Sequence, residues 1–94
     1  MRLIVIYDIS DDRDREIIAR KLKNLGLTRV QRSSFVGRGG VGHAKDVWRA
    51  VQRYVSGPRD SLIIFVVPNE SIRQAIVVGH PLGRMDGVET VQLI

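Results

Sequence analysis

Two stretches of this 94-residue chain, residues 3–7 (LIVIY) and 62–67 (LIIFVV), are apolar at every position. A strand with one wet face alternates between apolar and polar residues, so an unbroken run reads as a strand buried on both sides. Both runs are far shorter than the roughly 20 residues that cross a bilayer. They are therefore expected to be buried strands. Asp8 ends the first run and Pro68 the second. The length suits one domain over residues 1–94, with a core at about 1–68 and a C-terminal segment at about 69–94. A domain of this size buries only about 60–65% of its unfolded surface, so a second copy would help it.

Between the two runs, Ser10-Asp11-Asp12 opens a helix, with Asp11 as N-cap and Asp14 three residues on, near the positive helix end. Ile17, Ile18, Leu22 and Leu25 recur at helical spacing, and Gly26 closes the helix. Residues 28–36 form an extended stretch, either continuous or two short strands kinked near Arg32–Ser33. A glycine-rich loop follows at residues 37–42. Ala44, Val47, Trp48, Val51, Tyr54 and Val55 then make the apolar stripe of a second helix, stopped by Ser56-Gly57-Pro58. The tail is weaker, with residues 75–78 and a strand-like stretch at 88–94.

Splitting the middle stretch gives βαββαβ, an α/β (α+β sandwich) plan of the ferredoxin-like kind with an extra C-terminal strand. Such a sheet carries helices on one face only, whereas the first and fourth strands are apolar on both. The tail strand also lacks a hairpin partner. A homodimer whose sheets pack face to face, with tails added to a neighbour's edge, resolves both problems.

The net charge is +5, with twelve arginines and three lysines. Arginine's planar fork matches phosphate oxygens, which favours a polyanion such as nucleic acid; a merely Arg-rich surface is the plain alternative. There are no cysteines, hence no disulfide framework and no thiolate metal site. The N-terminal apolar run is too short for a signal peptide, so the expected location is cytoplasmic, with no membrane partner.

Gly37-Arg38-Gly39-Gly40-Val41-Gly42 fits GxGxxG, yet the acidic residue at dinucleotide spacing, Asp60, precedes its strand instead of following it. His43 and Ala44 stand where a phosphate-binding Walker loop needs Lys and Ser/Thr. The stretch reads as a flexible connection whose amides and Arg38 could reach a phosphate. Asp8, Ser10 and Asp12 begin like a calcium loop, but Arg13 and Ala19 occupy the glycine and glutamate positions. His43 and His80 are isolated and read as surface histidines.

Asp8 is harder to dismiss. It either helps cap the following helix or offers a carboxylate at the sheet's end to a hard cation such as Mg²⁺ or Mn²⁺. One carboxylate makes a poor metal site. Two Asp8 side chains across a dimer axis could share an ion that activates water and neutralises a phosphodiester. Arg29, Gln31, Ser33 and Phe35 alternate and share a face if pairing is regular, a basic surface with one aromatic for phosphate contact and base stacking. Arg13 and Arg15 oppose the helix dipole near Asp8, which suggests an anionic ligand or ion pairs with Asp11, Asp12 or Asp14. With Arg32 and Arg38, these residues form the expected nucleic-acid contacts.

Val5-Ile6-Tyr7-Asp8-Ile9, Asp11-Asp12 with Arg15, Gly26-Leu27, and residues 29–35 (RVQRSSF) together resemble the CRISPR-associated Cas-two family. The match is strongest over the first 40 residues or so. It implies a ferredoxin-like homodimer that acquires new spacers with the Cas-one integrase, handling duplex DNA and, in an endonuclease reading, single-stranded RNA. It also implies that Asp8 is the Mg²⁺ ligand and that Tyr7, Arg15, Arg29 and Phe35 are its catalytic neighbours. Where some relatives carry a second arginine two residues after Arg15, this chain has Ile17. Two readings follow: a metal-dependent endonuclease, or a non-catalytic DNA-binding scaffold. A metabolite-sensing module is disfavoured by the arginine excess and the lack of an apolar pocket motif.

Overall fold

The computed structural model describes residues 1–85 and 90–91. The chain runs β1 (Arg2–Asp8), α1 (Asp12–Asn24), β2 (Thr28–Gln31), β3 (Ser34–Arg38), α2 (Val41–Val51), a 3₁₀ turn (Gln52–Tyr54), β4 (Ser61–Val67), α3 (Asn69–Arg73), β5 (Val77–Val78) and β6 (Thr90–Val91). The first four strands form one antiparallel sheet in the order β2-β3-β1-β4. With two helical crossovers on one side, this is the ferredoxin-like arrangement. The two all-apolar runs are β1 and β4, paired over their full lengths.

Local chemistry sets the boundaries. Asp11 caps α1, its Oδ1 accepting from the Asp14 amide at 2.8 Å. At the other end Gly26 takes φ 88°, Leu27 N–H bonds the Leu22 carbonyl and Gly26 N–H that of Lys23, a Schellman closure that needs glycine. Arg32 and Ser33 form the two-residue turn between β2 and β3, so the kinked alternative holds.

The odd-numbered residues of β1 face the helices. Leu3, Val5, Tyr7, Ile18, Leu22, Phe35, Val47 and Val51 form the main core. Even-numbered residues face the other side, where α3 covers only part of the sheet by packing Ile72 on Val30 and Val36. Ile6, Ile63 and Phe65 remain 44%, 50% and 44% exposed there.

Several expectations need correcting. The glycine stretch is not a six-residue loop: Gly37 and Arg38 belong to β3, α2 begins at Val41, and only Gly39 and Gly40 connect them. Gly37 is buried and packs so tightly on Leu27 that a Cβ would lie 2.8 Å from Leu27 Cγ. His43 is tied at 2.8 Å to the Leu25 carbonyl, joining α2 to the end of α1 instead of lying loose on the surface. Trp48 leaves the apolar stripe and is half exposed. β5 finds a parallel partner in β6 of the same chain, although most of the strand-like stretch at 88–94 lies outside the described residues. Just before it, Leu82 N–H bonds the Val30 carbonyl of β2 at 2.9 Å. Gly83 passes so close that a Cβ would sit 2.3 Å from the Arg29 carbonyl oxygen.

Candidate nucleic-acid interface around Asp8

β1 alternates strictly, so neighbouring residues leave by opposite faces. Tyr7 is buried among the helix-side core, whereas Asp8 is exposed on the side of Ile6, opposite Ser61 of β4. Capping is not its task, because Asp11 performs it. The acidic residues around it are engaged: Asp11 with the Asp14 amide, Asp12 with Arg15, and Asp60 with Ser10. Asp8 makes no hydrogen bond or ion pair among the described residues.

Asp60, which precedes β4 as the sequence indicates, is the contributor that sequence reasoning missed. It hooks back to the Gly57 amide at 3.0 Å and accepts from both Ser10 N–H and Ser10 Oγ at 2.9 Å. The Ser10 amide bond, followed by the hydroxyl bond, holds the Asp60 carboxyl below its ordinary value. This clamp fixes the chain just after Asp8 to the start of β4. The signal was a Gly-Pro-Arg-Asp turn ahead of a strand, which suits a carboxylate that bonds its own turn.

The other expected catalytic residues do not gather around Asp8. Phe35 is fully buried, with the Tyr7 ring centroid 6.2 Å away on the helix side. The Arg29 guanidinium lies 5.3 Å from the Phe35 ring. Phe35 is thus a core residue and cannot stack on a base. Arg15 is drawn into the β1–α1 junction, paired with Asp12 and donating to the Ile9 carbonyl at 3.0 Å. Tyr7, Arg29 and Phe35 form one layered group under the sheet, while Asp8 stands on its opposite face.

The expected alternation of Arg29, Gln31, Ser33 and Phe35 also fails. Arg29 pairs with Phe35 and Gln31 with Ser34, with a bulge between Arg29 and Gln31. The extra residue, Val30, shifts the strand so that Gln31 joins the face of Ser34 instead of that of Arg29. Ser33 lies in the turn. Of the expected nucleic-acid contacts, Arg13, Gln31, Arg32 and Arg38 are exposed, Arg15, Arg29 and Ser33 partly so.

No group of three His, Cys, Asp or Glu residues capable of holding a metal occurs among the described residues. Among the described residues Asp8 thus stands as a single carboxylate at this end of the sheet, half of what a site shared between two copies would use.

This fold, with a carboxylate at the end of its first strand, defines a ferredoxin-like domain. The family model for CRISPR associated protein Cas2 matches residues 1–75. The chain belongs to the CRISPR-associated Cas2 family. It is 38% identical over 80 residues to a CRISPR-associated endoribonuclease Cas2 of Aeropyrum pernix, covering 85% of this chain and 87% of that protein. A second relative, CRISPR-associated endoribonuclease Cas2 2 of Pyrobaculum aerophilum, is 40% identical over 81 residues, covering 86% and 89%. Among solved structures, a hypothetical protein from Thermus thermophilus superposes with a TM-score of 0.72 at 32% identity, covering 85% of this chain and 92% of that one. A Cas1/Cas2 fusion of Thermoproteus tenax is 36% identical over 72 residues, covering 77% of this chain and 27% of the fusion. No helix among the described residues is long and apolar enough to cross a membrane.

Proposed function

We propose that this protein is a homodimeric, Mg²⁺-dependent endonuclease that binds nucleic acid and works with Cas1 in spacer acquisition. The observation that carries the reading is the Asp8 carboxylate, unengaged among the described residues and on the same face as the apolar residues Ile6, Ile63 and Phe65. A second copy laid on that face buries them and brings a second Asp8 towards the first. Mg²⁺ (or Mn²⁺) held between the two carboxylates would lower the pKa of a bound water and neutralise charge on the phosphodiester. The hydrolysis adds water across one P–O bond and leaves a phosphomonoester and a hydroxyl. Exposed Arg13, in the first turn of α1, and Arg32, in the β2–β3 turn, would hold the flanking phosphates. Arg15, tied to Asp12 and the Ile9 carbonyl, positions the β1–α1 turn. The endoribonuclease names of the relatives support RNA as a substrate, and the Thermoproteus tenax fusion supports Cas1 as the partner.

The separation of Asp8 from Tyr7, Phe35 and Arg29 by the thickness of the sheet favours a second reading, a DNA-binding scaffold that cuts nothing. Purified wild type and Asp8→Ala distinguish the two on RNA and DNA with Mg²⁺ or EDTA. The nuclease reading expects Mg²⁺-dependent cleavage that falls at least about 100-fold in the variant, the scale of lost metal or electrostatic catalysis. Equal cleavage by both proteins sinks it.

A further inference from the structure

The solvent side of α2 carries the chain's single tryptophan, Trp48. Val47 and Val51 of the same helix pack into the core beneath β1, so Trp48 looks outward on the side of the sheet opposite Asp8 and the proposed dimer face. Its indole is 52% exposed. Among the described residues it makes no hydrogen bond or ring contact, whereas every other aromatic on this side is engaged: Tyr7 with Phe35, Phe35 with Arg29, and Tyr54 with Lys21 and Arg53. A tryptophan covered by a partner buries about 150–250 Å², and here much of that surface is left in water.

Helical spacing sets polar residues around the ring. Lys45 lies three residues before it and Gln52 four after, about 5–6 Å away between Cβ atoms, and Arg49 adjoins on the same exposed side. Exposed Val41 stands two turns back, but Lys45 divides it from Trp48. The core of a protein interface is apolar and poor in lysine, which this surface is not. An aromatic ring among cations is instead how single strands of nucleic acid are held, the base on the ring and the phosphates on the cations. Lys45 and Arg53 enter no ion pair among the described residues, and Arg49 meets Asp46 only at 3.5 Å in an exposed pair, an arrangement of little strength. Arg53, 4.9 Å from the Tyr54 ring centroid and donating to its hydroxyl at 2.7 Å, carries the charge past the end of α2. From Lys45 to Arg53 the strip runs about 12 Å at 1.5 Å per residue. Over α1, α2 and the 3₁₀ turn, eight lysines and arginines face four acids, so this layer holds most of the chain's net charge of +5 and favours an anionic partner.

We propose that Trp48, with Lys45, Arg49 and Arg53, forms a stacking platform for an unpaired base of single-stranded RNA, on the side of the molecule opposite Asp8. Bases in a duplex hide their faces in the stack, so the platform selects an unpaired one. The proposal rests on the nucleic-acid reading above, which supplies RNA as the strand, and its test separates the two.

The test titrates the full-length protein, in EDTA to hold off Mg²⁺-dependent cleavage, with a single-stranded oligoribonucleotide of about ten nucleotides. Emission of the sole tryptophan reports this site, and anisotropy of the labelled strand reports binding anywhere on the protein. The emission should be quenched saturably, with the midpoint that anisotropy gives. Trp48→Ala, with an intact circular dichroism spectrum, should weaken binding about 5–150-fold, the worth of one stacked base, and leave its salt dependence unchanged. Trp48→Phe should recover much of that loss. Lys45→Ala/Arg49→Ala should flatten the plot of log affinity against log salt by about 1.4, the loss of two single-strand phosphate contacts. Binding without quenching, together with wild-type affinity in Trp48→Ala, would overturn the platform and leave the nucleic-acid reading intact. Equal quenching by the same RNA annealed to its complement would overturn base stacking. Equal quenching by polyglutamate would also overturn it and make the surface a dock for an acidic protein. A wild-type protein that binds no RNA at low salt would overturn both readings.

Discussion

Phe35 and Phe65 lie two strands apart in one sheet and have opposite fates. Phe35 points to the helices and is fully buried; Phe65 points the other way and is 44% exposed. The helix-side face is complete within one chain. Its counterpart is finished only over the β2–β3 half, where Ile72 of α3 packs. What separates the faces is connectivity: both long helices cross on the same side, so β1 and β4 offer a second apolar face that the described residues leave largely uncovered. One side of the sheet holds the fold together, and the other carries the proposed association.

The sharpest way to break this comparison is to truncate both phenylalanines. Phe35→Ala should cost about 3–5 kcal/mol, much of the stability of a domain this size, and thermal unfolding by circular dichroism measures it. Any loss of nuclease activity in that variant then follows from lost folding. A stable, folded Phe35→Ala protein that loses only activity would return Phe35 to the reaction. Next in size is Phe65→Asp, which places a charge on the proposed dimer face. Light scattering should find a monomer with an intact circular dichroism spectrum, and a persistent dimer would place association elsewhere. The smallest effect concerns Asp60. Its folded pKa is depressed by Ser10, so its stabilisation is present above the ordinary carboxylate range and is lost as pH falls through the folded value. Asp60→Asn should lower stability modestly at neutral pH and flatten its acid decline, as read from denaturation midpoints between neutral pH and pH ~3.

Much of the helix-side face was legible in the sequence. The apolar runs located β1 and β4, and the caps Asp11 and Gly26 bounded α1, because these signals act within a few residues. Face assignment was less accessible. Alternation put Arg29, Gln31 and Phe35 together, and one bulged residue divided them; where a bulge falls depends on the register with β3, not on the β2 sequence alone. The site was legible only in part for the same reason. Asp8 stood out by its position, whereas the Asp60 clamp joins residues 50 apart.

The passage of Leu82 and Gly83 along β2 has a bearing on how this protein behaves at high concentration. β2 is an outer strand, and a bare outer strand is a template for unwanted self-association. The Leu82 amide occupies the Val30 carbonyl, and Gly83 lies too close to the Arg29 carbonyl for any side chain. The chain after β5 therefore acts as a guard rail along that margin. A replacement at Gly83 would lift the rail without touching the core, and its harm would appear as clouding and sediment on storage while freshly prepared protein still looked sound.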